Sequence, residues 1–492
     1  MTGEWSMRSD ICIIGAGVVG CALARVLSRC EADIAVLEQG ADVAEGASKA
    51  NSGIVHAGFD AQPGTLKARL NVEGAAMYPA LCKELGVPYS QPGALVLGFS
   101  DEDRKSLEGL LRQGQENGVA GLRILSREEV LERESALSPD VRCALAAPTS
   151  GLVSPYELTY ALADHAAVNG VRFLRGERVE RVERTQDGLW RVMTGRGEHI
   201  CRVLVNCAGA GAEAIHAMMG GAPLRIVHRR GQYILLDRME RLPVSETIFQ
   251  CPTRMGKGVL VTPTVHGNLL LGPTAEDIED GFDSSTTAEG LREVLERCRI
   301  SWPEANTRLS ITSFSGIRAH EERGDFIIGA VEGQKSAYEA VGIESPGLSA
   351  APAIAEMLGA QIARECGLRA KASIAAPIAR KKPFHEMNAC ERAAAVAENP
   401  QYGSVICRCE VVTEAEIREA IRRPVGATTI DGVKRRTRAG MGRCQGGFCA
   451  PRVAELLSEE LGIPLTGITK SGGESRLLTG TIGEALKGGE RQ

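Results

Sequence analysis

Four of the fifteen cysteines stand as two close pairs near the C-terminus of the chain. One residue separates Cys407 from Cys409, and four residues separate Cys444 from Cys449. Four thiolates are the ligand set of a [2Fe–2S] cluster. Zinc also takes four thiolates, although a pair separated by one residue is tighter than its usual paired spacing. The cysteines therefore predict a small metal-binding domain, with zinc as the alternative to a [2Fe–2S] cluster.

A second chemically informative pattern lies near the N-terminus. Gly15, Gly17 and Gly20 follow a short apolar run and open a stretch of helical periodicity, and Glu38 ends the next predicted strand. In this context the glycines permit a tight turn, a close approach of backbone N–H groups to a pyrophosphate, and close helix–strand packing. The acidic residue accepts hydrogen bonds from ribose hydroxyls. The pattern therefore predicts a dinucleotide-binding unit.

Four further segments carry more specific patterns: SKANSGIVHAG at 48–58, VNCAGA at 205–210, FSGIR at 314–318 and GIESPGLS at 342–349. Through them the chain, over about residues 8 to 365, resembles the superfamily of FAD-dependent oxidoreductases. That superfamily includes D-amino-acid oxidases, glycerol-3-phosphate dehydrogenases and L-2-hydroxyglutarate oxidases. The resemblance implies that the dinucleotide is FAD and that these segments are flavin-contacting loops.

The same resemblance implies roles for individual residues in holding FAD. Ser48 and Asn51 are expected along the ribityl and pyrophosphate arm, and Val179 is expected to bond adenine through its backbone. Gly209 and Gly347 are expected to let backbone amides reach the flavin and its phosphates. Ser52 and Leu348, in the same loops, complete the implied set of cofactor-binding residues.

The cysteine-bearing segment, about residues 404 to 462, resembles the bacterioferritin-associated-ferredoxin-like [2Fe–2S] domain. In that domain the two cysteine pairs are the cluster ligands. Chains of this two-part design resemble the large subunits of anaerobic glycerol-3-phosphate dehydrogenases, whose partner subunits carry electrons onward. The resemblance implies a downstream electron acceptor or partner subunit and leaves a homo- or hetero-oligomer open.

Three residues are candidates for the substrate side of the site. Arg318 could clamp a carboxylate or phosphate through two parallel hydrogen bonds; the alternative is a surface arginine paired with a nearby carboxylate. His56, where the superfamily places a residue beside the flavin ring, could accept a hydroxyl proton; the alternative is a packed or capping histidine. Lys257 could bind the substrate's acidic group or serve as the base, or could be an exposed hairpin lysine.

The reaction that we predict is oxidation of a small anionic secondary alcohol to a ketone, with hydride transfer to flavin N5 and electrons leaving through the cluster. Glycerol 3-phosphate and 2-hydroxy acids such as 2-hydroxyglutarate both suit a cationic pocket. One alternative is an amine dehydrogenase for a D-amino, N-alkyl or opine-like acid, because the same geometry oxidises C–N bonds. The other is a non-catalytic electron-transfer or redox-sensing subunit.

The elements that must position these residues indicate an α/β protein with three parts. A Rossmann-like FAD-binding domain is predicted at 8–75, 150–215 and 325–366, with an inserted antiparallel-sheet substrate domain at 76–149 and 216–324. A linker at 367–400 leads to a small helical [2Fe–2S]-binding domain at 401–470 and a tail at 471–492. Capping-box patterns at Ser154–Glu157 and Thr413–Glu416 predict two helix starts. The basic residues 434–438 are expected in a solvated loop, with docking of a redox partner as the less favoured reading.

Composition narrows the class further. A formal net charge of -5 gives no general attraction to nucleic acid. The chain has no apolar run long enough for a transmembrane segment and no signal-peptide pattern at its start. The eleven remaining cysteines are scattered, as reduced buried thiols are. We therefore expect a cytoplasmic protein, peripheral to a membrane only through partners.

Overall fold

An eight-stranded sheet carries the N-terminal glycine pattern. A computed structural model describes residues 5–252, 258–480 and 482–483. In it Trp5–Ile14 pairs in parallel with Ile34–Glu38 on one side and with Gly197–Asn206 on the other. The parallel core is extended by Arg172–Arg175 and Ala337–Val341. The strands of this sheet are Trp5–Ile14, Ile34–Glu38, Arg172–Arg175, Val179–Arg184, Trp190–Thr194, Gly197–Asn206, Ile327–Ala330 and Ala337–Val341.

Helices cover this sheet, as the predicted Rossmann-like unit requires. They are Val18–Leu27, Leu66–Leu85, Pro155–Val168, Ala212–Met218 and Gly347–Glu365, with a 3₁₀ turn at Gly209–Gly211. Leu66–Leu85 packs against Gly347–Glu365 so closely that a Cβ atom on Gly74 would lie 2.2 Å from the carbonyl oxygen of Ser349. The predicted boundary between residues 75 and 76 falls inside this helix.

A nine-stranded, mainly antiparallel sheet forms the second body. Its strands are Ala94–Gly98, Arg123–Ser126, Cys143–Ala146, Ile226–Leu236, Thr247–Gln250, Leu260–Pro263, Leu269–Gly272, Glu276–Ile278 and Ser310–Glu321. The helices Asp101–Glu116, Arg127–Arg133 and Ala288–Ser301 pack on it. The two longest strands, Ile226–Leu236 and Ser310–Glu321, pair so that Arg229 lies opposite Arg318. A small sheet of Ile54–Val55, Tyr89–Ser90 and Gly151–Val153 adjoins the flavin-loop segment 48–58.

The C-terminal part is small and mainly helical. Its elements are the strands Val405–Cys407 and Val412–Thr413, the helices Ala389–Glu398, Glu414–Arg422, Ile430–Thr437 and Ala450–Leu461, and 3₁₀ turns at Phe384–Glu386, Pro400–Gly403 and Leu465–Gly467. The predicted linker therefore contains a helix, Ala389–Glu398. Within the described residues, no helix has both the length and the apolar character needed to cross a membrane.

The two predicted capping boxes have different outcomes. Thr413 and Glu416 exchange both hydrogen bonds of the box and begin the helix Glu414–Arg422, as predicted. The helix Pro155–Val168 also starts where the sequence predicts, but the Ser154 side chain forms no capping bond. Glu157 is instead bound by the ring of His266 at 2.7 Å. The capping box predicted at Ser154–Glu157 is therefore wrong.

Candidate functional site

The glycine turn after the first strand has the geometry of a nucleotide-binding loop. Gly15 has a φ of 101°, and a Cβ atom there would lie 2.4 Å from the carbonyl oxygen of Cys207. A Cβ atom on Gly20 would lie 2.0 Å from the carbonyl oxygen of Gly15. Gly17 is the residue before the helix Val18–Leu27, and the first N–H groups of a helix have no partner within the helix itself. The turn therefore offers backbone donors and helix-dipole charge to a pyrophosphate.

Two side chains brace this turn from neighbouring segments. Glu38 is buried, and its two carboxylate oxygens accept hydrogen bonds from the backbone N–H groups of Ala16 and Gly40 at 2.8 and 2.7 Å. Burial raises the pKa of Glu38, and these two bonds act in the opposite direction. The Ser48 hydroxyl accepts from the N–H of Val18 at 2.8 Å. Each carboxylate oxygen keeps a second lone pair, so Glu38 retains acceptor capacity for a ribose hydroxyl.

A cavity of about 390 Å³ opens beside the turn and between the two large sheets. The structure brings into its wall most of the residues predicted from distant parts of the sequence, namely Gly17, Ser48, Asn51, Ser52, His56, Gly209, Arg318, Gly347 and Leu348. Gly209 has a φ of 56° and no heavy atom within 4 Å of the position of a Cβ, so the backbone there is open to a ligand. These features fit a flavin held mainly by backbone groups.

The remaining predicted cofactor residues lie around this cavity. Gly15, Gly20 and Glu38 form the turn at its base, and Val179 begins the strand Val179–Arg184 outside its wall. The amide of Asn51 bonds within its own loop, donating to the Ala47 carbonyl and accepting from the Gly53 N–H. Lys257 lies outside the described residues.

Arg318 reaches the cavity from the strand Ser310–Glu321. Within the described part of the chain it forms no ion pair, and the three carboxylates nearest in sequence are engaged elsewhere. Glu321 pairs with Arg323, Glu322 pairs with Arg225, and Asp325 accepts from the backbone at residues 66 and 67. The Tyr233 ring lies beside Arg318; burial raises the pKa of Tyr233, and the guanidinium opposes that shift. Arg318 therefore faces the cavity rather than a surface carboxylate.

His56 lines the same cavity as Arg318 and belongs to the segment 48–58. Its side chain is buried, its backbone N–H donates to the Ser349 hydroxyl at 2.7 Å, and its ring lies 5.8 Å from the ring of Phe249. The contact with Ser349 joins the 48–58 loop to the first turn of the helix Gly347–Glu365. The backbone of His56 is thus held between two predicted flavin-contacting loops, and its imidazole lies beside the Phe249 ring.

Two further cations in the cavity wall were not among the predicted catalytic residues. Arg229 lies opposite Arg318 in the sheet and pairs with Asp277, and Lys67 pairs with Glu344 at 2.7 Å. Arg229 belongs to the basic run 228–230, whose charge is itself a sequence signal, whereas Lys67 carries no local signal because it comes from a helix of the other domain. Each of these two cations is offset by its carboxylate partner, so Arg318 supplies the uncompensated positive charge of this wall.

The four C-terminal cysteines come together at one end of the small domain. The Cys407 and Cys409 sulfur atoms are 3.7 Å apart, and Cys449 precedes the helix Ala450–Leu461. The Cys449 thiol donates to Cys407, and this bond, with N–H donors from Gly440 and Glu410, lowers the pKa of Cys407. Cys407 and Cys449 are buried, Cys444 is half-buried and Cys409 is exposed.

Backbone donors also surround Cys444. The N–H group of Phe448, followed by that of Gly446, lowers the pKa of Cys444. Within the described residues, no group of three or more His, Cys, Asp or Glu side chains is arranged to hold a single metal ion. A [2Fe–2S] cluster is held by two thiolates on each of two irons, and N–H donors to its sulfur ligands help to set its potential. Two thiolate pairs with N–H donors fit that group.

The basic residues 434–438 attach the small domain to the rest of the molecule. Arg435 donates to the Tyr160 hydroxyl at 2.6 Å and pairs with Glu45. Arg436 binds the fully buried Asp42, with Nη2–Oδ1 at 2.7 Å, and stacks on the Tyr160 ring. These residues lie on the helix Ile430–Thr437 and are largely buried, so the expectation of a solvated or partner-binding loop was wrong.

Comparison with known proteins assigns the fold to a family. The family model described as FAD dependent oxidoreductase matches residues 10–361, the part that contains the glycine turn and the cavity. The chain belongs to this family. A second model, the BFD-like [2Fe-2S] binding domain, matches residues 405–459 and includes all four cysteines. The protein is therefore an FAD-dependent oxidoreductase that also carries a [2Fe–2S]-binding domain, which favours the cluster over zinc.

Individual relatives agree with this assignment. This FAD-dependent oxidoreductase is 46% identical over 472 residues to a glycerol 3-phosphate dehydrogenase of Caloramator mitchellensis, covering 96% of this chain and 98% of the relative. It is 34% identical over 284 residues to the mitochondrial L-2-hydroxyglutarate dehydrogenase of Bos taurus, covering 54% and 60%. The FAD-bound L-alpha-glycerophosphate oxidase of Mycoplasma pneumoniae matches with a TM-score of 0.73 and 28% identity, covering 76% of this chain and 99% of that one.

Proposed function

We propose that this enzyme oxidises the secondary alcohol of glycerol 3-phosphate to the ketone and releases the electrons through its [2Fe–2S] domain. The observation that carries the proposal is Arg318, a cation in the wall of the flavin cavity whose neighbouring carboxylates are bound elsewhere. An uncompensated guanidinium in such a wall suits a phosphate or carboxylate. The relative with 46% identity over nearly the whole chain favours glycerol 3-phosphate over 2-hydroxy acids and over amines.

In the proposed reaction the chain's own groups bind, orient and deprotonate the substrate. Bound FAD supplies the hydride acceptor, at flavin N5. Arg318 clamps the phosphate through two parallel hydrogen bonds, while Arg229 and Lys67 stay paired with Asp277 and Glu344 in the same wall. His56 accepts the hydroxyl proton, because its imidazole lies in the cavity wall beside the Phe249 ring. Lys257 is assigned to the phosphate by the same charge argument.

We further propose that the ligands of the [2Fe–2S] cluster are Cys407, Cys409, Cys444 and Cys449. Their sulfur atoms are paired in space, and backbone N–H groups point at two of them. The cluster carries one electron at a time, which favours a dehydrogenase that feeds a carrier or partner subunit over an oxidase that reduces oxygen. All fifteen cysteines are unpaired, which suits a reducing, cytoplasmic compartment.

An anaerobic substrate screen tests this function. Glycerol 3-phosphate is expected to bleach the flavin absorbance of the holoenzyme and then to produce the electron paramagnetic resonance signal of a reduced cluster. L-2-Hydroxyglutarate and D- and L-amino acids serve as competing substrates. Faster bleaching with an amino acid, accompanied by release of ammonia, would contradict alcohol oxidation. Cluster reduction by none of these substrates would contradict the proposed function as a whole.

Arg318→Ala tests the anion clamp. We expect the KM for glycerol 3-phosphate to rise about 100-fold while FAD content stays unchanged, because a desolvated charge contact is lost. Arg225→Ala is the matched control, since Arg225 is an exposed arginine that pairs with Glu322 on the protein surface. Steady-state kinetics with an artificial dye acceptor measure both variants. Equal KM values for the two variants would remove Arg318 from the site.

A further inference from the structure

An exposed aromatic side chain lies directly beside the cysteine cluster. Phe448 is 88% exposed, more than any other large apolar side chain among the described residues. It stands between Cys444 and Cys449, and its N–H group donates to the Cys444 sulfur. Cys444 in turn contacts the exposed Cys409. We call the surface formed by Arg408, Cys409, Cys444 and Phe448 the cluster edge.

Phe448 is not part of the hydrophobic core of the small domain. The helix Ala450–Leu461 is packed through Val453, Leu456 and Leu457, on other turns, so the small domain's core does not use the Phe448 ring. Large apolar side chains that remain exposed on a folded domain mark interaction surfaces, and aromatic residues are frequent anchors of protein interfaces. Phe448 is thus an exposed aromatic side chain next to Cys444, whose sulfur accepts its backbone N–H.

Arg408 is the charged side chain of the cluster edge. The two cysteine-bearing loops, 404–409 and 442–449, contain two charged residues, Arg408 and Arg443, and both are exposed, but Arg443 pairs with Asp237 at 2.8 Å. Within the described residues, Arg408 forms no ion pair. The nearest carboxylate in sequence, Glu410, is buried and held by Arg238 and Arg438. The side chains around the cysteines therefore contribute positive charge, from Arg408 and from the two arginines on Glu410, beside the apolar Phe448 on a chain whose net charge is -5.

We propose that the cluster edge is the docking site of an acidic one-electron carrier protein, which places Phe448 at the centre of the interface and Arg408 on its rim. The inference rests on the proposed function, since it names the class of acceptor that takes electrons from the [2Fe–2S] domain. Electrostatic complementarity steers such a carrier to the basic edge, and the apolar anchor holds it there. Each oxidised alcohol yields two electrons and two protons, so two carriers are each reduced by one electron.

Binding to the oxidised holoenzyme tests the docking surface without any need for turnover. The probes are an acidic plant-type ferredoxin and basic cytochrome c, with affinity measured by biolayer interferometry at several salt concentrations. We expect ferredoxin to bind with an affinity that falls as salt rises, and cytochrome c to bind at least tenfold more weakly. Cytochrome c binding as tightly as ferredoxin would overturn the proposal.

Two variants locate the site. Phe448→Ser and Arg408→Glu are each expected to weaken ferredoxin binding at least tenfold, and Arg408→Glu also to reduce the salt dependence. Ile300→Ser and Arg364→Glu are matched controls, because Ile300 and Arg364 are an exposed apolar residue and an exposed arginine on the other domains. Unchanged ferredoxin affinity in both Phe448→Ser and Arg408→Glu would overturn the proposal.

Cluster content and substrate-driven reduction separate this inference from the proposed function. Visible absorbance of the cluster shows whether each variant is loaded, and Arg408→Glu carries the test if Phe448→Ser loses the cluster. Glycerol 3-phosphate is expected to reduce the cluster in Arg408→Glu as fast as in the unaltered enzyme. If the substrate fails to reduce the cluster while ferredoxin still binds at the edge, the proposed function fails and the docking site stands.

Discussion

The flavin cavity is formed mainly by backbone groups, whereas the cluster domain is attached by charged side chains. The cavity is shaped by backbone, with glycines at the turn and loops whose N–H groups are braced by Glu38 and Ser48. The cluster domain is held by charged side chains, with Arg435 and Arg436 bound to Glu45, Asp42 and the Tyr160 ring. We therefore expect the flavin cavity to be most sensitive to added side-chain atoms, and the attachment of the cluster domain to be most sensitive to the loss of a buried charge.

The two regions also meet. Asp42 and Glu45, which receive the arginines of the cluster domain, lie between Glu38 and Ser48 in sequence, on the segment that frames the nucleotide turn. A side-chain contact that fixes the cluster domain therefore also fixes the segment next to the predicted ribose and pyrophosphate contacts. The cluster domain is docked on the flavin side of the molecule rather than tethered by a free linker.

The largest effect is expected from adding one carbon atom to the nucleotide turn. Gly20→Ala places a Cβ atom 2.0 Å from the carbonyl oxygen of Gly15, so the turn or the helix must shift. We expect the purified variant to contain less than about one tenth of the normal FAD, by analogy with the close packing that this position requires. Visible absorbance against protein concentration measures the flavin content.

Gly109→Ala is the control for this substitution. Gly109 lies in the helix Asp101–Glu116 with no heavy atom within 4 Å of an added Cβ. Alanine there is expected to leave the FAD content unchanged and to raise the free energy of unfolding by about 0.5–1 kcal/mol, because glycine is the poorer helix former. Full FAD content in Gly20→Ala would show that the backbone does not limit space at the turn.

A smaller effect is expected from breaking the charged attachment. Arg436→Met leaves Asp42, which is fully buried, with Arg175 and Arg435 at 3.6 and 3.7 Å as its remaining cations. We expect the free energy of unfolding to fall by about 3 kcal/mol, since a buried charge loses its closest partner. Urea titration followed by circular dichroism measures the change.

Arg422→Met is the matched control, because Arg422 is 62% exposed and pairs with Glu460 on the surface of the same domain. Its cost is expected to stay below about 1 kcal/mol. In the double variant Arg436→Met with Asp42→Asn, the loss in free energy of unfolding is expected to be smaller than the sum for the two single variants, because the Asp42 charge that lost its closest partner is removed as well. Equal costs for Arg436→Met and Arg422→Met would mean that the attachment does not depend on buried charge.

The features that could be predicted from the sequence are those formed by residues that are close together in the chain. The glycine turn, Glu38 at the end of its strand and the paired cysteines depend on residues close together in the chain, so their spacing indicates their geometry. The structure brings nine predicted site residues into one cavity, and each of them belongs to a short segment with its own local sequence pattern. The family comparison supports FAD and the cluster, while the roles of the individual residues remain proposals.

The attachment of the cluster domain could not be predicted in the same way. The pair Arg436 and Asp42 is separated by 394 positions, and a run of arginines looks the same whether solvent or a buried carboxylate receives it. Lys67 was missed for a related reason, because its place in the cavity wall depends on how a helix of one domain meets a strand of the other. Such contacts follow from packing between domains, which local sequence patterns do not encode.

The two capping-box patterns allow the finest test of the distinction between local and long-range contacts. Thr413→Ala removes a cap whose two hydrogen bonds are both formed, so we expect the free energy of unfolding to fall by about 1 kcal/mol. Ser154→Ala is expected to change it by less than about 0.5 kcal/mol, because Ser154 forms no capping bond and Glu157 is bound by His266 instead. Urea titration of both variants measures the difference. A larger cost for Ser154→Ala than for Thr413→Ala would show that the local pattern, and not the long-range contact with His266, governs the start of the helix Pro155–Val168.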